Sequence, residues 1–391
     1  MYRTGRGPSS SHSIGPERAA ADFLRRFPQA DEFCIVLYGS LALTGKGHLT
    51  DEAVYSVLGR ERTRVVFDKK TRQDHPNTMD FSALKEGKEC GSVRYFSIGG
   101  GNICVAGEKE EEKDVYPFAN FAEWRDYCDR NGVPLCSAVY TFEGEGMREN
   151  LRAVWHTMQE AIGRGLACDG VLPGDLQVLR KAQKLYTPVA GETPEEREKR
   201  LIASYAFASA EENACGGTVV TAPTCGACGV LPAVLYYLKE REGFCEENIL
   251  DALAVAGMVG NVIKTNASVS GAEAGCQAEI GSATAMAAAA VCALFGASSE
   301  EIEYAAEIAL EHQLGLTCDP VHGYVQIPCI ERNAVAALRA LDSAAIAKIL
   351  RGTRKISFDL IVETMYKTGK DLNERYRETS EGGLAASYRV C

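Results

Sequence analysis

No run of about twenty uncharged apolar residues occurs in this 391-residue chain, so it offers no conventional membrane span. The alanine-rich stretch 282–294 is too short and too rich in small residues for that role. A secretory leader is not evident either: Arg3 and Arg6 are followed by Gly, Pro and Ser, with no apolar stretch behind them. Positive charge is in deficit. Lys and Arg total 42 against 53 Asp and Glu, a formal net charge of -11, which repels nucleic acid and anionic lipid alike. These absences lead to the expectation of a cytoplasmic protein with no nucleic-acid or membrane partner.

Apolar residues make up 46% of the chain, enough for sizeable cores, and the length exceeds that of a typical single domain. The 15 cysteines are expected to stay reduced in a large cytosolic chain, as core residues or metal ligands. Cys34, within Phe33-Cys34-Ile35-Val36-Leu37, and Cys292, among alanines, read as small core hydrophobes. Local context has to select the others.

Two halves differ in pattern. Residues 1–145 alternate short β-rich runs (34–38, 64–67, 93–98, 135–142) with helical pieces at 17–27 and 121–130, which predicts an α+β domain. The polar, glycine-containing 143–146 reads as a linker. In 148–391, apolar residues recur at helical spacing over 151–164, 201–212, 229–240, 246–263, 281–294, 299–314 and 330–341, predicting an all-α domain. Ser299 before two glutamates suits an N-cap, and 187–200 reads as an exposed loop. The polar segment 371–391 has the composition of a tail, ending on Cys391.

Three cysteines of the helical half sit at element ends. Cys276 falls in Ser270-Gly271-Ala272-Glu273-Ala274-Gly275-Cys276-Gln277, Cys318 in Gly315-Leu316-Thr317-Cys318-Asp319-Pro320, and Cys329 in Ile327-Pro328-Cys329-Ile330-Glu331-Arg332-Asn333. Helix termini and free backbone N–H groups stabilise thiolates there. Three thiolates without a fourth would leave one iron of a cluster open for Lewis-acid chemistry. The gaps match no ferredoxin or zinc-finger spacing, so spacing alone favours three unrelated buried cysteines. His12, His48 and His75 lie in Ser-, Gly- and Asn-rich turns, where an imidazole suits proton transfer; the alternative is that each caps its turn. His156 and His312, on helices, read as structural. Cys225 and Cys228 form a Cys-x-x-Cys before a helix, with a redox pair and a plain loop both open.

These strings, with His312–Pro320 read in full, and the N-terminal Gly7-Pro8-Ser9-Ser10-Ser11-His12-Ser13-Ile14-Gly15-Pro16, closely resemble the bacterial iron–sulfur L-serine dehydratases (L-serine ammonia-lyases). So do Tyr38-Gly39-Ser40-Leu41-Ala42-Leu43-Thr44-Gly45-Lys46-Gly47-His48, Ser97-Ile98-Gly99-Gly100-Gly101 and Thr379-Ser380-Glu381-Gly382-Gly383-Leu384, in order along the whole chain. The resemblance implies a β-type domain over 1–145 and an α-type iron–sulfur domain over 148–391. It implies a 4Fe-4S cluster on Cys276, Cys318 and Cys329, with the C-terminal Cys391 folding back toward the open iron. It further implies His48 as general base and His12 and His75 as substrate-side partners. Ser9, Ser10, Ser11, Thr50 and Asn77 would contact L-serine, which becomes pyruvate and ammonia, and a homodimer is expected. The chain departs from the family at Cys225, where relatives have Asn, at His322, where they have a small residue, and in the 15 residues between Gly59 and His75, where many carry an insertion. Two other functions fit the cysteine pattern: a cluster-dependent cysteine desulfidase, and a non-catalytic iron–sulfur protein whose cluster is fully ligated.

Overall fold

The fold was read from a computed structural model that describes residues 1–108 and 115–389. It begins with a short strand, β1 (Thr4–Arg6), and a helix, Gly15–Arg26. A five-stranded mixed sheet follows, built from β2 (Glu32–Tyr38), β3 (Thr63–Asp68), β4 (Thr78–Lys85), β5 (Lys88–Ser97) and β6 (Ile103–Val105) in the order β3-β2-β4-β5-β6. The β2–β3 pair is parallel and the rest are antiparallel.

Alternation decides which face of this sheet is covered. Phe33, Ile35 and Leu37 of β2 and Met79, Phe81 and Ala83 of β4 point to one side, with Ile35 registered on Phe81. The helices Gly15–Arg26 and Thr50–Leu58 close that side with Ala19, Ala20, Phe23, Val54 and Leu58. The β4 segment was not anticipated from its pattern. It turns into β5 through Glu86-Gly87, both at positive φ (51° and 72°), the geometry of a tight hairpin.

The helical part centres on Ser282–Leu294, whose alanines are almost all inaccessible. Small side chains let the helices Val230–Glu242, Glu246–Asn266, Ser299–Glu311 and Cys329–Ile349 approach it closely. The longer stretch Gln277–Leu294 is long and apolar enough to cross a membrane by length and composition, but 89% of it is buried inside the protein as a core helix.

Three local expectations change. Residues 135–142 form a helix, Leu135–Glu143, since Leu135, Ala138 and Val139 share one helical face and bury it in the large core. That core reaches back to Phe121. The N-cap near residue 299 is Ser298, which accepts from the Glu301 amide in a reciprocal capping box. The helix into which the 187–200 loop was expected to lead begins inside it, at Pro194, because Thr193 caps Pro194–Ala214 in the same way. A final strand, β7 (Thr218–Val220), pairs antiparallel with β1 and ties the N-terminus to the helical part.

Candidate active site

Each of the three cysteines is placed by a break in regular structure. Gly275, at φ 76°, turns the chain so that Cys276 opens the irregular turn Gln277–Gly281 into the central helix. Cys318 is held on both sides by the C-terminal segment: its N–H donates to the Tyr376 carbonyl (2.8 Å) and its carbonyl accepts from the Glu378 N–H (2.8 Å). Cys329 is the first residue of Cys329–Ile349. All three line one small cavity, together with Ser9, His48, Gly226, Glu279 and Glu378. A larger cleft bordered by Cys128, Cys136 and Asp251 holds neither a histidine nor any of these cysteines.

The cavity's chemistry is that of a soft-ligand site. A hydrogen bond from Cys318 outweighs burial and, with the Arg332 guanidinium, brings the Cys276 thiol down to about 7. The same bond and burial push Cys318 up, and burial pushes Cys329 up. Arg332 is anchored by the Thr317 carbonyl (2.7 Å) and Asp319 (3.3 Å). It is three residues after Cys329, hence on the same helical face. Space is kept by Gly271: a Cβ there would stand 3.2 Å from Cys318 Sγ and 2.7 Å from Glu279 Oε2. Three convergent thiols beside a cation and a glycine-kept gap fit a thiolate-bound iron–sulfur group.

Beside the thiols stand two imidazoles in contact, His12 and His48, with ring centroids 4.5 Å apart and planes tilted by 38°. Ser9 caps the irregular turn Ser10–Ile14 that carries His12. Both ring nitrogens of His12 are engaged: Nδ1 with Ser11 Oγ (2.8 Å) and Ser9 Oγ (3.3 Å), Nε2 with Ser40 Oγ (3.0 Å). Burial, more than the opposing pull of Glu378, lowers His12 to about 4, so its ring is neutral at physiological pH. His48 ends the tight turn Gly45–His48; its carbonyl accepts from Ser13 Oγ (3.1 Å). The Glu378 carboxylate reaches both rings through Oε1, 3.4 Å from His48 Nε2 and 3.5 Å from His12 Nδ1. Burial works to raise Glu378, yet the two imidazoles hold it below the usual carboxylate value. Glu279, buried and facing that charge, is pushed well above it. The two neighbouring carboxyls are thus shifted in opposite directions. His12, His48 and Glu378 are also close enough to hold a cation, but the serine partners of His12 already use both its nitrogens.

Several polar atoms here are buried without a partner: His48 Nδ1, Glu378 Oε2, Asn77 Oδ1, Thr50 Oγ1, Ser97 Oγ and Ser270 Oγ. Each such group costs about 1–3 kcal/mol in a sealed core. Substrate polar groups or ordered water would satisfy such atoms. Those of Asn77, Ser97 and Ser270 sit on segments that touch one another. Ser40 N–H donates to Pro76 O (2.8 Å), Asn77 Nδ2 to Ser97 O (3.3 Å), and the Gly99 turn after Ser97 packs on Ser270.

The structure thus brings together His12, His48, Ser9, Ser11, Cys276, Cys318 and Cys329, with Asn77 in the adjoining shell. Ser10 is buried in the His12 turn, and Thr50 is buried at the start of the helix after the His48 turn. His75 is not among the residues lining the cavity: its Nδ1 accepts from the Asn77 amide (3.1 Å) and its ring packs on Phe96. Cys391 lies outside the described residues. His322 is half-exposed against Asp175 and Tyr388. Cys225 and Cys228 are buried, with thiols raised by burial. Ser97, Ser270, Glu279, Arg332 and Glu378 were not singled out from the sequence. The first four lie in or beside the strings that carried the resemblance, while Glu378 precedes such a string and carries no periodic or spacing signal.

The turn bearing His48 meets the helical part at Gly47, where an added Cβ would lie 2.4 Å from the Gly323 carbonyl. Gly47→Ala is expected to cost about 1–3 kcal/mol through this overpacking, read as a lower urea midpoint with an unchanged slope.

Comparison with known proteins adds the family. Residues 1–66 match the family described as "Serine dehydratase beta chain", and residues 68–385 match "Serine dehydratase alpha chain". The chain is 39% identical to the L-serine dehydratase of Haemophilus influenzae over 449 aligned residues, covering 100% of this chain and 98% of the relative. It is 39% identical to L-serine dehydratase TdcG of Escherichia coli, covering 98% of this chain and 97% of that one. Against the L-serine dehydratase of Streptomyces coelicolor, identity is 38% over 100% of this chain and 98% of the relative.

Proposed function

The chain belongs to the serine dehydratase family, with beta-chain and alpha-chain regions in one polypeptide, and from that premise we propose that it is an iron–sulfur L-serine dehydratase releasing pyruvate and ammonia. The observation that carries this reading is the single cavity shared by three cysteines, His48 and Glu378. Cys276, Cys318 and Cys329 would hold a 4Fe-4S cluster. When bound, that cluster supplies an iron with no protein thiolate, an electrophile that makes the β-hydroxyl of serine a competent leaving group.

The remaining work falls to side chains of the protein. His48 takes the α-proton, being the one buried ring with a free nitrogen. Ser9, Ser11 and Asn77, with Ser97 and Ser270, bind the substrate's carboxylate and ammonium and so orient its Cα–H bond toward the base. Arg332 offsets the negative charge of the thiolates. Loss of the proton and of hydroxide leaves aminoacrylate, which tautomerises and hydrolyses to the products. The seclusion of the cavity keeps the carbanionic electron pair from being quenched by water.

Anaerobically purified protein with counted iron and sulfide is expected to form pyruvate from L-serine and to release no sulfide from L-cysteine. Cluster-loaded protein inert toward serine would overturn the assignment; sulfide release in place of pyruvate would make it a desulfidase.

A further inference from the structure

We infer that Glu378, carried on the C-terminal segment, is the positioning residue of the base: its carboxylate holds Nε2–H of His48 and so makes Nδ1 the nitrogen that receives the α-proton. This rests on the reading of His48 as base.

Three observations and one rule of imidazole chemistry support it. The ion pairs of Glu378 are with His48 Nε2 and His12 Nδ1, both through Oε1, and its side chain is 4% exposed. His48 Nδ1 is buried with no partner, whereas both nitrogens of His12 are bonded to serines. A carboxylate against one imidazole nitrogen selects the tautomer with the proton on that side and leaves the lone pair on the other. The placement is also heavily constrained. Glu378 and Ser380 are non-glycine residues at φ 57° and 58°, a conformation that persists where surrounding contacts enforce it. Those contacts are Glu378 N–H to Cys318 O (2.8 Å), Ser40 Oγ to Glu378 O (2.6 Å) and Ser380 Oγ to Pro320 O (2.7 Å). They latch the segment to a cysteine turn on one side and to the histidine domain on the other.

In the step so assisted, the Nδ1 lone pair forms an N–H bond as the Cα–H bond breaks. The freed electron pair becomes the Cα–Cβ π bond, and the Cβ–O bond breaks with its pair leaving on hydroxide. The positive charge arising on His48 then lies against the carboxylate, so Glu378 stabilises the transition state more than the ground state.

The test uses the full-length, cluster-loaded protein. Glu378→Gln is expected to keep wild-type iron and sulfide content and a KM within about threefold, with kcat lower by about a hundred-fold or more. The deuterium isotope effect on kcat with [2-2H]serine should rise, because proton abstraction becomes rate-limiting. Glu378→Asp should recover part of the rate, since it restores the charge. Wild-type kcat in Glu378→Gln overturns the role, and so does loss of cluster content in step with activity in both variants. His48→Ala, measured in parallel, separates the two ideas. If it stays fully active, the reading of His48 as base fails; if it is inactive while Glu378→Gln is normal, only the positioning role fails.

Discussion

His48→Ala is expected to retain its visible cluster absorbance and its affinity for serine, yet to lose α-proton exchange and pyruvate formation by about a hundred-fold or more. The α-proton of serine is far too weakly acidic to leave without a positioned acceptor. His48 is nearly inaccessible and faces the same cavity as the three cysteines. His12 cannot replace it, since Ser11 and Ser40 occupy both its nitrogens. The mutant loses a ring that contributes no thiolate, so cluster content should not change. The check is deuterium incorporation into serine from heavy water beside an iron count. A mutant that exchanges the α-proton at the wild-type rate would remove His48 from the reaction.

The largest expected effect belongs to the cysteines. Cys276→Ser, Cys318→Ser and Cys329→Ser should each abolish the brown absorbance and all activity, whereas Cys34→Ser should change neither. A serine hydroxyl is a poor iron ligand at neutral pH, and two thiolates do not hold a cubane. Cys34 lies in β2, registered on Arg64 and Ser82, well inside the other domain's sheet. Iron and acid-labile sulfide per chain, measured on anaerobic preparations, decide the matter. Full cluster content in any one of the three variants would strike that residue from the ligand set.

Much of this site could be read from residue order because its chemistry is local. Cys276, Cys318 and Cys329 each sit beside glycine or proline at an element end, and the turns of His12 and His48 carry their own serines and glycines. Arg332 was within reach of the same logic: a residue three positions after Cys329 shares its helical face. The 135–142 run misled because Val139, Tyr140, Thr141 and Phe142 have strand-like composition; burial of the Leu135–Ala138–Val139 face against Glu246–Asn266 overrode it. The hairpin strand β4 was within reach of the same reading, since Met79-Asp80-Phe81-Ser82-Ala83 alternates apolar and polar residues.

The sequence by itself determined the helical and strand segments with clear apolar period, the turns that present the histidines and thiols, and the membership that whole-length motif order implies. Tertiary structure alone decided what the polar C-terminal segment is for. Composition marks residues 371–389 as solvent-facing, yet Glu378 is almost wholly buried, and its carbonyl accepts from Ser40, 338 positions earlier. Nothing local predicts that, because a lone carboxylate is tolerated in a core only where distant groups converge to meet its charge. Here those groups are two imidazoles from the sheet domain and the backbone of a cysteine turn from the helical one.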